Sequence, residues 1–229
     1  MNVKVKICGL NDEAAVQAAI KAGADFAGFV FYPGSPRHIA LKRAAELNAL
    51  LPPRIKSASV LVDPDDALLA EVRSILKPDY VQLHGNETPR RLREIKKTFP
   101  NIKIIKAISV HGGDDVAQAG MFYDCADMLM FDAASFPAER SDALESCRPR
   151  EGGDPVLPGG NGLAFDWVLL ARRELPLPWF LSGGLTPENV ADAIRISGAG
   201  MIDVSSGVER ERGVKDASLI EAFIKAAKT

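Results

Sequence analysis

Short apolar runs alternate with stretches of helical periodicity along the whole chain. The first run, VKVKIC, alternates apolar and basic residues, and the later runs are rich in β-branched and aromatic residues, which is typical of strands. Eight such runs predict strands at residues 3–8, 26–32, 57–62, 80–85, 103–109, 128–133, 179–184 and 201–207. Apolar positions at helical spacing predict helices at residues 12–22, 40–51, 66–76, 88–98, 113–122, 164–174, 187–197 and 216–228.

Two of the predicted helices begin with a recognisable start signal. Thr88 precedes Pro89, and Thr186 precedes Pro187. In each pair the threonine can cap the helix, and the proline takes the first helical position, where its missing N–H costs nothing.

The number of strand–helix units decides the fold class. Parallel strands need helical crossovers, and a sheet of eight strands can close on itself. We therefore expect an α/β chain that forms a single-domain (β/α)8 TIM barrel over residues 1–229. An open doubly wound sheet is less favoured, because no GxGxxG motif follows the first strand and the rhythm shows no break for a second domain.

The segment at residues 133–158 departs from this rhythm. It follows the sixth predicted strand, is polar and rich in glycine and proline, and leads into PGGNG at residues 158–162. It is far longer than the usual βα loop of ~2–6 residues. We expect either a lid over the site or a surface insertion with no role in turnover.

Composition limits the class of partner. The 28 basic and 30 acidic residues nearly cancel, leaving a formal charge of −2 and no basic field for nucleic acid or an anionic membrane. No apolar run approaches the ~18 residues of a membrane span, and the charged first strand does not resemble a signal peptide, so we expect a cytoplasmic protein with a small partner. Cys8, Cys125 and Cys147 are odd in number and widely spaced, so free thiols are expected rather than disulfides or a metal site.

The ends of the predicted strands carry the candidate chemistry, because barrels of this kind place their sites at the C-terminal ends of the strands. LSGGLTPENV and IDVSSGVE follow the last two strands, where backbone N–H groups can cradle a phosphate. We therefore expect Gly183, Gly184, Ser205 and Ser206 to bind phosphate, with simple tight turns as the alternative.

Seven motifs in order give the chain a family resemblance. They are KICGL, GFVFYPGSPRHI, VQLHGNE, FDA, GGNG with FDW, LSGGL, and IDVSSGVE with GVKD. Together, from residue 3 to about residue 216, they resemble phosphoribosylanthranilate isomerase of tryptophan biosynthesis. GGNG stands where GGTG or GGSG is commoner, and the loop before it is enlarged.

The resemblance implies the Amadori rearrangement of N-(5-phosphoribosyl)anthranilate, which needs one acid and one base and neither metal nor cofactor. It implies that Asp132 is the acid and Cys8 the base, with Arg37 on the anthranilate carboxylate and His84 and Asp203 near the substrate. A monomer or a homodimer is expected.

Without the family resemblance, each candidate site residue could also have a purely structural role. Cys8 could be a small buried hydrophobe, because free cysteine is among the most buried residue types, and a basic thiol needs a positive neighbour. Asp132 could be a helix cap, unless an apolar wall such as Met130 and Phe131 keeps it protonated. Arg37 could be a surface arginine, and Asp203 could serve a salt bridge.

Two other function classes are also open. Indole-glycerol-phosphate synthase would need a catalytic lysine at a strand end, and the related histidine-pathway isomerase has an aspartate where Cys8 stands. A barrel that only binds a phosphorylated ligand would be expected to lose Cys8 or Asp132, and both are present.

Overall fold

The structure is a computed structural model that describes residues 3–133, 165–171 and 173–229. The segment predicted as a lid or insertion, residues 133–158, lies outside the described residues after Ala133, as do PGGNG and Cys147.

Eight parallel strands form a closed barrel in which each strand pairs with its neighbours in sequence and the last pairs with the first. The strands are β1 Lys4–Cys8, β2 Phe26–Val30, β3 Lys56–Leu61, β4 Tyr80–Leu83, β5 Ile104–Val110, β6 Met128–Ala133, β7 Trp179–Leu181 and β8 Met201–Val204. All eight lie within the predicted runs or exceed them by one residue, and the predicted (β/α)8 fold is confirmed.

Helices surround the barrel and return the chain to the start of each next strand. They are α1 Glu13–Ala22, α2 Leu41–Asn48, α3 Asp66–Ile75, α4 Pro89–Thr98, α5 Gly113–Gln118, α6 Val190–Ser197 and α7 Ala217–Lys228. The start signal at Thr88 is confirmed, since its side chain accepts a hydrogen bond from Arg91 N and Pro89 is the first helical residue.

Three predicted helices differ from the structure. The one predicted at residues 113–122 is α-helical only over Gly113–Gln118 and continues as a 3₁₀ helix, Ala119–Phe122. Within the described part of residues 164–174 the chain forms only a short 3₁₀ helix, Trp167–Leu170, whose first free N–H is capped by Asp166. The helix predicted at residue 187 begins instead at Val190, after a turn in which Asn189 Oδ1 accepts a hydrogen bond from Thr186 N. Thr186 and Pro187 therefore belong to a turn that precedes the helix, and not to the helix itself.

Strand alternation separates two apolar layers. Residues that face outward from the barrel pack against the helices in the main core, while the inward-facing residues of its lower half form a second cluster: Phe26, Ala58, Ile105, Ala107, Met130, Phe180 and Met201. This cluster closes the barrel interior from below, so the inward-facing positions nearer the C-terminal strand ends are left to form a site.

A small hairpin follows the last barrel strand. It consists of β9 Glu209–Glu211 and β10 Val214–Lys215, which pair antiparallel just before α7. The sequence did not predict this hairpin, because its two strands are only three and two residues long.

Candidate active site

One cavity opens at the C-terminal ends of the barrel strands and encloses about 680 Å³ of empty space, part of it open to solvent. The nine residues singled out in the sequence all line it: Cys8, Arg37, His84, Asp132, Gly183, Gly184, Asp203, Ser205 and Ser206. Their roles stay predictions, but the structure brings all of them to one place.

Strand alternation explains why these side chains share one cavity. Successive side chains of a strand point to opposite faces, so positions two apart point the same way. Lys6 and Cys8 therefore both face inward from β1, as Met130 and Asp132 do from β6. On β6 the inner face thus changes from apolar Met130 to Asp132 as the strand reaches the cavity.

Cys8 lies beside a buried ion pair. The side chain of Lys6 is fully buried, and its Nζ donates to Asp203 Oδ1 at 2.8 Å. Asp203 Oδ2 in turn accepts from Ser182 Oγ at 3.3 Å. Burial raises the pKa of the Cys8 thiol, while the ammonium groups of Lys6 and Lys215 act in the opposite direction and only partly offset it. The salt-bridge role considered for Asp203 is therefore present, and its carboxylate also lines the cavity.

Asp132 is held by a chain of polar side chains that begins in β4. His84 Nε2 lies 3.1 Å from Asp132 Oδ2, and His84 Nδ1 lies 3.0 Å from Gln82 Nε2. With the Gln82 amide in this orientation its N–H donates, so Nδ1 accepts and Nε2 carries the ring proton that is donated to Asp132. The sequence placed His84 near the substrate but did not predict this contact with Asp132.

Arg37 is buried rather than on the surface, and it takes part in an ion cluster with the hairpin that follows β8. Its Nε and one Nη donate to the two carboxylate oxygens of Glu209 at 2.7 and 2.9 Å. Lys215 Nζ donates to Glu209 Oε1 at 2.7 Å and to Ser205 O at 2.9 Å. The guanidinium that the resemblance places on the anthranilate carboxylate therefore binds Glu209 through two hydrogen bonds.

The Glu209 cluster keeps a positive charge beside the cavity. Two cations, Arg37 and Lys215, face one carboxylate, and all three side chains are at most 4% exposed. Burial would raise the pKa of Glu209, but hydrogen bonds from Arg37 and the charge of Lys215 hold it below its ordinary value. Burial lowers the pKa of Lys215, and Glu209 only partly restores it. A net positive group of this kind favours anionic ligands.

The turns after β7 and β8, which are predicted to bind phosphate, are tight turns that require glycine. Gly183 and Gly184 have φ of 92° and 62°, in the left-handed region that favours glycine. A Cβ on Gly207 would collide with the carbonyl oxygen of Leu185, so the two turns touch at a point that only glycine fits. Ser205 Oγ donates to Cys8 O at 3.2 Å and so ties the β8 turn to the end of β1.

Three of the charged side chains at the site were not among the predicted residues: Lys6, Glu209 and Lys215. For Lys6 a signal existed, because it stands two positions before Cys8 and must share its face. Glu209 and Lys215 lie in quoted motifs, but their partners depend on the hairpin, which the sequence did not predict.

Neither a metal centre nor a membrane span is found in the part of the chain that the structure describes. Within those residues no three or more His, Cys, Asp or Glu side chains are grouped so that they could hold a metal ion. No described helix is both long and apolar enough to cross a membrane.

Comparisons with known proteins agree on one family. The family model described as N-(5′-phosphoribosyl)anthranilate (PRA) isomerase matches residues 5–226. An N-(5′-phosphoribosyl)anthranilate isomerase from Parvibaculum lavamentivorans is 46% identical over 228 residues, covering 100% of this chain and 99% of the relative. One from a Caulobacter species is 48% identical, with 99% of each chain covered.

Solved structures give the same result. The phosphoribosyl anthranilate isomerase from Thermotoga maritima matches with a TM-score of 0.82 and 33% identity, covering 99% of this chain and 98% of that one. A phosphoribosyl anthranilate isomerase in complex with reduced 1-(o-carboxyphenylamino)-1-deoxyribulose 5-phosphate matches with a TM-score of 0.77 and 32% identity, over 99% and 98% of the two chains.

Proposed function

This chain belongs to the N-(5′-phosphoribosyl)anthranilate isomerase family, and from that premise we propose that Cys8 and Asp132 share the proton transfers of its reaction. The reaction is the Amadori rearrangement of N-(5-phosphoribosyl)anthranilate to 1-(2-carboxyphenylamino)-1-deoxyribulose 5-phosphate in tryptophan biosynthesis. The two other phospho-sugar enzymes and the non-catalytic binder considered from the sequence are set aside on the same comparisons.

The rearrangement consists of two proton transfers followed by a tautomerisation. An acid protonates the furanose ring oxygen, so the bond from that oxygen to C1 breaks and a protonated Schiff base forms. A base then removes the proton from C2, and the electron pair moves toward the nitrogen to give an enol. The enol takes up a proton at C1 and loses its hydroxyl proton as the ketone forms. An acid and a base at one cavity are therefore sufficient.

The strand order suggests how the substrate lies. The phosphate is held by the turns after β7 and β8, and the anthranilate ring extends toward β2 and β3, where Val30, Tyr32 and Val60 form an apolar wall. β1 lies between β8 and β2 in the closed barrel, so Cys8 stands beside the path from phosphate to ring. The positive Glu209 cluster lies at the same mouth and favours both substrate anions.

The contacts of Asp132 suit an acid. His84 Nε2–H donates to Oδ2, so the acidic proton sits on the other oxygen, Oδ1, and is available to the ring oxygen. Once that proton is given up, the bond from His84 stabilises the carboxylate that remains. His84 is thus a positioning residue for the acid and does not itself transfer the proton.

The burial of Cys8 bears on how it acts as a base. Its pKa is raised by burial, so the thiol form predominates in the free enzyme at neutral pH. The base is required as the thiolate and Asp132 as the protonated acid, so kcat/KM is expected to follow a bell-shaped pH profile, and Cys8→Ser should alter the limb that belongs to the thiol.

We also propose a cytoplasmic monomer or homodimer that works on a small phosphorylated substrate. Cys8 and Cys125 are free thiols, as a reducing compartment would keep them. A related structure is described as monomers generated from the dimeric enzyme of Thermotoga maritima, so relatives of this chain exist in both states.

The observation that carries the proposal is the presence of Cys8 and Asp132, with the glycine and serine residues of the β7 and β8 turns, in one cavity. The test follows the fluorescence of phosphoribosylanthranilate as it is consumed by the wild type and by Asp132→Asn. We expect a loss of about 10² or more in kcat for the variant, with the affinity for a reduced product analogue little changed. Asp124→Asn, at an exposed carboxylate paired with Arg93, is the matched control. An active Asp132→Asn enzyme would remove Asp132 as the acid.

A further inference from the structure

A lysine lies fully buried inside the barrel, and the reaction assigns it no role. Lys6 is on β1, two residues before Cys8, and its side chain is 0% exposed. Lysine is almost never buried without a partner, because its desolvation is costly. Its partner is Asp203 on β8, at 2.8 Å. A well-packed apolar residue would fill the same space at lower cost, so the retained charge points to a task beyond stability.

Lys6 and Cys8 converge on a point beside Gly28 of β2. A Cβ built on Gly28 would lie 3.0 Å from Cys8 Sγ and 3.2 Å from Lys6 Nζ. Both atoms therefore occupy the space that a side chain at this position would need. The absence of that side chain lets the ammonium and the thiol share this space, with the thiol lining the cavity and the ammonium buried below it.

The charge of Lys6 is maintained at neutral pH. Burial lowers the pKa of Lys6, but the charge of Asp203 and its hydrogen bond, with the Cys8 thiolate wherever that forms, outweigh burial, and the net shift is upward. The other charged groups that act on Cys8 are Asp203 from β8, which disfavours the thiolate, and Lys215 from β10, which favours it. β2 contributes no charge at this point, because its residue there is Gly28.

We propose that Lys6 is a positioning residue for Cys8: its ammonium, anchored by Asp203 in the space beside Gly28 that the sulfur atom also occupies, favours the thiolate form of Cys8. Lys6 supplies the positive neighbour that a basic thiol needs. It touches no reacting atom and transfers no proton. The catalytic importance of the contact rests on Cys8 being the base, whereas the contact itself can be measured without substrate.

The test is the rate at which iodoacetamide alkylates Cys8 in the free enzyme, followed over pH by mass spectrometry of the peptide that contains Cys8. Lys6→Met removes the charge and keeps the length of the side chain. We expect the apparent pKa of the thiol to increase by about one unit or more, and its alkylation near neutral pH to slow about tenfold or more. The Cys125 peptide in the same digest is the internal control, because that thiol is buried away from Lys6 and reacts only if the protein unfolds.

A second variant, Lys6→Arg, keeps a positive charge opposite Asp203 and beside Cys8. Its alkylation rate near neutral pH is expected to stay close to that of the wild type, whereas a purely structural effect would slow Lys6→Arg and Lys6→Met alike. Unchanged kinetics in Lys6→Met would overturn the proposal. If Lys6→Met does not fold, Lys6→Gln takes its place in the comparison, and a rate equal to that of Lys6→Arg rejects the proposal.

Discussion

The buried Glu209 cluster makes a strong prediction for the variant Glu209→Gln. The side chains of Glu209, Arg37 and Lys215 are 4%, 4% and 0% exposed, so water cannot replace the lost charge. The variant leaves two buried cations without their carboxylate. Breaking a buried ion pair by removing one partner costs about 3–5 kcal/mol.

The expected loss of stability can be measured as a decrease in melting temperature. For a chain of this size, each kcal/mol shifts Tm by roughly 2–4 °C, so we expect Glu209→Gln to melt roughly 6–20 °C below the wild type at neutral pH. Calorimetry or circular dichroism measures this shift. Glu211→Gln, at an exposed position of the same hairpin, is the matched control and should melt with the wild type.

The difference in Tm between the wild type and Glu209→Gln should also change with pH, and the pKa of Glu209 determines the direction of that change. The pKa of Glu209 is lowered in the folded state, so its contribution is fully present above its unfolded pKa of about 4.3 and is lost as pH falls through the folded value. The gap between wild type and variant should therefore narrow on acidification below about pH 4. A Glu209→Gln protein that melts with Glu211→Gln at neutral pH would refute the reasoning.

Three further predictions concern single side chains. Arg37→Ala leaves Glu209 with Lys215 as its cation and should, in the folded variant, weaken a carboxylate-bearing product analogue by a few kcal/mol at most and an analogue without the carboxylate far less, as measured by calorimetry; equal losses would show that Arg37 acts through the Glu209 cluster and not on the substrate carboxylate. Gly207→Ala, which forces a methyl onto Leu185 O, should destabilise the protein by about 3 kcal/mol or more and abolish inorganic phosphate binding; a stable variant would contradict the tight turn. His84→Ala should lower kcat about 10-fold or more with little change in KM, and a change in KM alone would make His84 a binding residue.

Local pattern was enough to predict the barrel, because each strand is a short apolar run and each crossover a periodic helix. Local pattern was less successful where tertiary contacts determine the conformation of a segment. Trp167–Leu170 has an apolar spacing that suits a helix, yet the described chain there makes one 3₁₀ turn, and Thr186–Pro187 starts a turn that Asn189 closes. Neither outcome can be read from the propensity of the residues alone.

For the site, the strand ends and the family resemblance together identified nine residues. All nine line one cavity in the structure. The partners of those residues could not be predicted, because they lie far apart in sequence: Lys6 and Asp203 are 197 residues apart, and Arg37 and Glu209 are 172 apart. Only the closed barrel, in which β8 pairs with β1, brings such residues into contact.

The role of Cys8 as the base is the central claim, and single-turnover kinetics of Cys8→Ser test it most directly. Fluorescence decay of phosphoribosylanthranilate is recorded with enzyme in excess, and the affinity for a reduced product analogue is measured on the same protein. Cys125→Ser, which makes the same atomic change at a buried thiol outside the cavity, is the control. We expect Cys8→Ser to slow the decay about 10²-fold or more at nearly unchanged affinity, and Cys125→Ser to match the wild type per folded molecule. A near-wild-type decay in Cys8→Ser would exclude the thiol as the base.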